Sequence, residues 1–153
     1  MRITALLSAV LAGAFLFGCS TLPPITQTIG RPVPMTANTQ NCIRGNCYVP
    51  VFVADCVINV PDTVVNLGGP GGGNRRLIIW VIRDSGYVFS TDSSWPALVP
   101  KGSSNFFGTP NVQGAVMLDT VNVTSQGIAH EYGLDITKSD GTRCPQYDPW
   151  VIE

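Results

Sequence analysis

Short apolar segments separated by clusters of turn-forming residues fill most of the chain after residue 48. Val, Ile and aromatic residues are frequent in these segments, and Gly, Pro, Asn, Asp and Ser are frequent between them. This composition favours strands, because β-branched and aromatic side chains pack well on a pleated surface. No long stretch carries apolar residues at helical spacing. We therefore predict about seven short strands, at residues 51–60, 63–67, 76–83, 87–89, 115–123, 128–136 and 149–152.

Three of these segments carry further information. Residues 76–83 have a near-continuous apolar centre, which indicates a strand buried on both faces. The segment 51–60 is interrupted near Ala54-Asp55, where a bulge or a bend is expected. In the segment 128–136, alternation predicts one inward face and one outward face. The inward face carries His130, Tyr132, Leu134 and Ile136, and the outward face carries Glu131 and Asp135.

Composition supports the same fold class. Asp, Glu, Lys and Arg make up 12% of the chain, which also contains 16 glycines and 12 prolines. Few charges and many turn-forming residues are typical of an all-β domain. Short strands with frequent turn signals predict a β-sandwich.

The first nineteen residues have the pattern of an export signal. Arg2 gives a positive start, and residues 5–17 are uncharged and mostly apolar. That run is too short to cross a bilayer, which needs roughly 20 residues, but it has the length of a signal-peptide core. An ordinary signal peptidase could cut after Ala12-Gly13-Ala14, inside the apolar run.

The alternative ending, Leu16-Phe17-Gly18-Cys19, resembles the lipobox of bacterial lipoproteins, with an apolar residue at −3, a small residue at −1 and cysteine at +1. The resemblance implies cleavage before Cys19 and attachment of acyl chains to that residue. Ser20 at the next position implies sorting to the outer membrane, with the protein facing the periplasm. The expected partner is the membrane, reached through the N-terminal lipid.

The lipobox divides the chain into three parts. Residues 1–18 are the predicted signal peptide, and residues 19–41, which contain four prolines, are the predicted lipid-anchored flexible linker. Residues 42–153 are the predicted β-sandwich domain. Without Arg2 the mature chain has 8 basic and 10 acidic residues, a net charge of −2. This charge gives no electrostatic reason to expect nucleic acid as a partner.

Four cysteines remain once Cys19 is assigned to the lipid, and an even number in an exported protein indicates disulfides. Four cysteines allow three connectivities. We favour a short-range pair, Cys42–Cys47, and a long-range pair, Cys56–Cys144. A zinc site is the rival interpretation, but the spacing contains no C-x₂-C unit.

Three segments resemble one family. They are the strand with Trp80 that leads into Ser85-Gly86-Tyr87-Val88-Phe89, the segment 130–136, and the closing Asp148-Pro149-Trp150-Val151-Ile152. Together they are similar to the DP-EP family of small immunoglobulin-like bacterial proteins, over residues 51–153. The resemblance implies an immunoglobulin-like β-sandwich and no catalytic residues.

Several motifs resemble chemical sites, but their residues favour structural roles. The glycine-rich loop 68–74 lacks the G-K-[S/T] ending of a phosphate-binding loop, and a strand follows it. Residues 135–141 contain residue types of a calcium-binding loop, but not at the positions that such a loop requires. A hairpin turn is expected there. His130 is the single histidine and lies on the inward face, which favours packing over general-base catalysis. We therefore assign no catalytic residue, metal or cofactor.

The residues 90–111 form a long irregular connection that contains three aromatic residues, Trp95, Phe106 and Phe107. Loops on a rigid sandwich often carry binding residues, so these three are candidates for contact with a glycan, a peptide or a protein. The alternative is that they pack over the end of the sandwich.

The sequence thus predicts a non-enzymatic, lipid-anchored envelope protein with a structural or protein-interaction role, with an envelope protein as a possible partner. A ligand-binding module that uses residues 90–111 is the alternative, and a hydrolase that uses His130 is the most distant one.

Overall fold

The computed structural model describes residues 27–29, 38–42, 46–68, 74–102 and 105–153. Within these ranges the secondary structure is entirely β, which confirms the predicted fold class. None of the described residues belongs to a helix long and apolar enough to cross a membrane. The strands are β1 (Gln27–Ile29), β2 (Thr39–Asn41), β3 (Cys47–Ala54), β4 (Val57–Asn59), β5 (Val64–Asn66), β6 (Arg75–Ile82), β7 (Tyr87–Phe89), β8 (Thr91–Asp92), β9 (Trp95–Pro96), β10 (Leu98–Pro100), β11 (Asn111–Gln113), β12 (Val116–Asn122), β13 (Ile128–Leu134), β14 (Ile136–Lys138) and β15 (Trp150–Ile152).

Two sheets make up most of the described structure. The first sheet has the strand order β1-β13-β15-β5-β2, and β10 pairs with the far half of β13. The second sheet has the order β11-β12-β6-β3-β4. Two short ladders, β7 with β14 and β8 with β9, lie beside them.

The apolar core lies between the two sheets. Alternate residues of β6 and β12 point into it, among them Ile78, Trp80 and Met117, all fully buried. Trp80 links the sheets, because its Nε1 donates a hydrogen bond of 3.0 Å to Tyr132 Oη of β13, and the two rings meet edge to face at 5.7 Å. Burial raises the pKa of the Tyr132 phenol, so this hydroxyl stays protonated.

The structure pairs Cys42 with Cys47 and Cys56 with Cys144, the connectivity favoured from the sequence. The second disulfide spans 88 positions. It joins the turn between β3 and β4 to the segment that follows β14, where the Cys144 amide donates to the carbonyl of Ile136. The interruption predicted near Ala54-Asp55 is this turn, and Asp55 and Cys56 both adopt positive φ angles there.

The first sheet begins earlier in the chain than predicted. β1 pairs in parallel with β13, and β2 pairs in parallel with β5. Both strands fall inside residues 19–41, so the flexible-linker assignment is wrong for them and the sandwich begins before residue 42. Strands pair through backbone groups, so the pairing leaves no pattern in the polar and proline-rich side chains of this region.

The immunoglobulin-like connectivity is not confirmed. Such folds are built from two antiparallel sheets. In the described residues four strand pairs are parallel: β1–β13, β2–β5, β5–β15 and β3–β6. The β-sandwich class is shown, and the finer family topology stays a prediction.

Two further expectations need correction. The connection 90–111 is not irregular throughout, because it contains β8, β9, β10 and the start of β11. The segment 128–136 is divided between β13 and β14, and its predicted outward residues Glu131 and Asp135 are buried. At Asp135 the outward face is covered by the side chain of Gln146, which donates a hydrogen bond to the buried carboxylate.

Candidate functional site

The predicted site residues do not converge on one place. Cys19, the predicted lipidation site, lies outside the described residues. Among the other candidates, His130 and Phe106 lie together near the start of β13, whereas Trp95 lies beyond the opposite end of that strand.

Phe106 and Phe107 are core residues, with exposed fractions of 3% and 9%. Their rings meet edge to face at 4.9 Å, and Phe107 also contacts Tyr132. The Asn122 amide fixes this segment by donating to the carbonyl of Phe106 over 2.7 Å. Both residues thus pack over the sandwich, as the alternative predicts, and Phe106 also lines a cavity of about 200 Å³ with His130 and Glu153. A binding role for Phe106 and Phe107 stays a prediction.

His130 is packed as the alternation predicts. Only 3% of the residue is exposed, and its ring stacks on Phe106 with centroids 4.1 Å apart. Its Nε2 lies 2.7 Å from Oε1 of Glu153. Burial lowers the pKa of His130, and the hydrogen bond and charge of Glu153 oppose that shift. The imidazole thus serves the packing of this end of the sandwich.

The side chain of Glu153 connects several segments of the chain, a role that no sequence pattern indicated. Its Oε2 accepts hydrogen bonds from the backbone amides of Thr124 and Ser125, at 2.5 and 2.8 Å. Its Oε1 faces His130. One carboxylate therefore connects the strand β13, the connection from β12 to β13 and the residue after β15.

Asp119 is a second buried acid missed from the sequence. It lies between Met117 and Val121 on the inward face of β12, with 2% exposure. Its Oδ2 accepts a hydrogen bond of 3.1 Å from the Gly108 amide, while Oδ1 has no hydrogen-bond partner in the described structure. Burial raises the pKa of this carboxyl. The alternation of apolar residues in β12 is the signal that could have identified it.

Trp95 is the candidate that retains an exposed surface. It lies in the β8–β9 hairpin, where Ser90 Oγ donates to the Trp95 carbonyl over 2.5 Å. The guanidinium of Arg143 sits 3.5 Å above the indole ring, a cation–π contact. The turn itself is closed by Asp92, which accepts hydrogen bonds from the amide and hydroxyl of Ser94. These bonds hold the pKa of the Asp92 carboxyl below its ordinary value.

A cavity of about 280 Å³ is lined by Trp95. Its lining also includes the hydroxyl-bearing residues Ser90, Thr91 and Thr137 and the acidic residue Asp92. An aromatic surface next to hydroxyl and carboxylate groups can bind a ligand that has an apolar face and a polar rim.

A network of polar side chains lies at the Trp95 end of the molecule. Asp135 is fully buried, and its Oδ2 accepts a hydrogen bond of 2.7 Å from Gln146. Lys101 donates to the Gln146 side-chain oxygen and forms an ion pair of 3.3 Å with Asp148. Arg143, which covers Trp95, lies 3.8 Å from the second oxygen of Asp135. The network thereby fixes the cation above the indole.

In the part of the chain that the structure describes, no group of three or more His, Cys, Asp or Glu residues is arranged to hold a metal ion. No family model matches the chain, and comparison with curated proteins and with solved structures found no match.

Proposed function

We propose that the protein is a lipid-anchored, disulfide-bonded β-sandwich that is displayed at the bacterial envelope, on the periplasmic side of the outer membrane, for contacts with other molecules. The observation that carries this proposal is the use of the cysteines. Cys42, Cys47, Cys56 and Cys144 are all joined in disulfides. Of the five cysteines, Cys19 is the one outside these pairs, and it is the residue that the lipobox resemblance selects.

The position of β1 supports a short anchor. Gln27, where β1 begins, follows Cys19 by eight positions. A fully extended chain of that length reaches at most about 29 Å. β1 pairs with the first residues of β13, so the anchor would hold the start of β13 close to the bilayer.

The same pairing gives the domain an orientation in this proposal. β10 pairs with the last residues of β13, and the β8–β9 hairpin with Trp95 comes just before β10. β13 is seven residues long, which corresponds to about 23 Å. The Trp95 end therefore points away from the bilayer and is open to contacts in the periplasm.

Replacing Cys19 tests the anchor. Wild-type protein should fractionate with the envelope membranes and dissolve only in detergent. The Cys19→Ser variant should lose this behaviour, while Cys42→Ser, which removes a disulfide cysteine, should keep it. Release of both variants, or of neither, would contradict lipid attachment at Cys19.

A ligand-binding module is the second candidate, and the cavity beside Trp95 favours it. Soluble peptidoglycan fragments are a suitable probe, because sugar rings have an apolar face and a hydroxyl rim. We expect these fragments to change the tryptophan fluorescence of the wild type. The change should disappear in Trp95→Ala and persist in Val57→Ala, an exposed position on β4. An unchanged response in Trp95→Ala would exclude this cavity.

The hydrolase alternative gains no support from the site. His130 is 3% exposed, stacked on Phe106 and bonded to Glu153. A general base must reach the proton that it removes from a bound substrate. His130 does line a cavity of about 200 Å³ with Phe106 and Glu153, but its Nε2 is already engaged by the Glu153 carboxylate.

A further inference from the structure

The outer side of the second sheet is unusually apolar. Residues of β3, β6 and β12 that point away from the core are mostly apolar and lie at the surface. Two aromatic residues among them are well exposed, Tyr48 at 44% and Phe52 at 40%. We call this surface the apolar face, and it is formed mainly by Tyr48, Phe52, Leu77, Ile79, Val81 and Leu118.

Strand register makes the apolar face continuous. Ile79 of β6 is paired with Tyr48 of β3 on one side and with Leu118 of β12 on the other. The next outward row joins Val81 to Pro50 and Val116 in the same way. Side chains at paired positions lie about 5 Å apart, so these rows form one connected surface across three strands.

A solvent-facing sheet surface normally alternates polar residues with the buried ones. β6 instead has the apolar pattern of a strand that is covered on both sides, and its outward residues Leu77, Ile79 and Val81 are only half-buried. No further described strand is stacked on this side of the sheet. An exposed apolar patch of this kind marks an interaction surface.

We propose that the apolar face docks against the same face of a second copy of this chain. Three strands about 25 Å long and two about 10 Å long, spaced about 4.8 Å apart, give a face of roughly 450 Å². Two such faces would bury about 900 Å² in total, slightly less than the roughly 1,000 Å² of a specific interface. The pair is therefore weak in free solution.

Anchoring strengthens this association, and in that respect the inference rests on the proposed function. The end of β12 leads directly into β13, and Val123 and Gly127 bond to the ends of the two sheets there. Strands of both sheets thus run between the anchored end and the Trp95 end. The apolar face is parallel to them and points sideways, toward neighbouring anchored copies. Confinement to one membrane raises the effective concentration of such copies.

Photo-cross-linking of the full chain in intact cells tests the proposal. A benzoylphenylalanine at Ile79 should cross-link two copies of the chain, detected as a band of twice the mass that contains both of two differently tagged copies. The same probe at Val99, a half-buried position on β10 in the first sheet, should not. Adding Phe52→Glu should lower the cross-linked fraction about tenfold, as expected for loss of one well-packed contact.

Mass spectrometry of the cross-linked peptides separates the outcomes. A product that joins the Ile79 position to residues of the apolar face of another copy supports the proposal. A product with the chain's own residues 30–37, a product with a different envelope protein, or no product would overturn it. Wild-type disulfide content in Phe52→Glu verifies folding. Repeating the experiment with Cys19→Ser separates the two proposals: a weaker band that still depends on Phe52 keeps the interface, whatever the state of the anchor.

Discussion

Asp119 is an ionisable side chain that the fold places in the apolar core. Its inward position among Met117 and Val121 removes the carboxylate from water, and one of its two oxygens gains a hydrogen bond, from Gly108. A buried oxygen without a partner keeps its desolvation cost. The pKa of Asp119 is raised for this reason, so the folded state binds its proton at a higher pH than the unfolded state does.

Asp119→Asn should therefore stabilise the protein at neutral pH, by on the order of 1 kcal/mol. The asparagine oxygen can still accept the Gly108 amide. In the wild type, the contribution of Asp119 to the unfolding free energy should rise as the pH falls from 7 toward the ordinary aspartate pKa, because the folded state takes up this proton first. The advantage of the variant should shrink over this range. Urea unfolding at pH 7 and pH 4.5 measures it, and an advantage that does not depend on pH would contradict the account.

His130 changes the unfolding free energy with pH in the opposite direction to Asp119. Its pKa is lowered in the folded state, so stability is lost as the pH falls below the ordinary histidine value. The comparison of Asp119→Asn with the wild type removes this contribution, because both chains contain His130. Sequence alternation correctly predicts that this histidine faces inward. It does not reveal Glu153 as the partner, which lies 23 positions away.

The elements differ in how far the sequence determines them. Residues 76–83 and 87–89 are predicted closely, because their apolar patterns report burial directly. β1 and β2 were missed, because their pairing with β13 and β5 is made by backbone groups of distant segments. The sequence leaves the burial of Phe106 and Phe107 open for a related reason, since an aromatic pair in a connection can face either the core or the solvent. The contact between Trp95 and Arg143 also joins distant parts of the chain, so the local sequence around either residue does not predict it.

The two disulfides offer a matched comparison at the same scale. They span 88 and 5 positions. In the chain-entropy model a loop of the first size contributes about 4.6 kcal/mol and one of the second size about 2 kcal/mol. Replacing both Cys56 and Cys144 by Ala should therefore lower the unfolding free energy more than replacing both Cys42 and Cys47. Denaturant unfolding under oxidising conditions tests this order, and equal losses would contradict it.

The whole molecule has two ends and two sides with different proposed roles. In the proposed arrangement the start of β13, next to β1, is the anchored end, and the Trp95 cavity with Arg143 lies at the other end. The core connects these ends, and the Cys56–Cys144 disulfide joins the turn after β3 to the segment after β14 at the Trp95 end. The apolar face lies along one side, where an anchored neighbour can reach it. The proposed anchor would set how the cavity and the apolar face are presented at the membrane.

The most direct measurement is therefore the mass of the mature N-terminal peptide, isolated from envelope membranes. We predict that it begins at Cys19 and carries acyl chains, with residues 1–18 absent. A mature chain that begins at any other residue, or a Cys19 without acyl groups, would contradict the central claim.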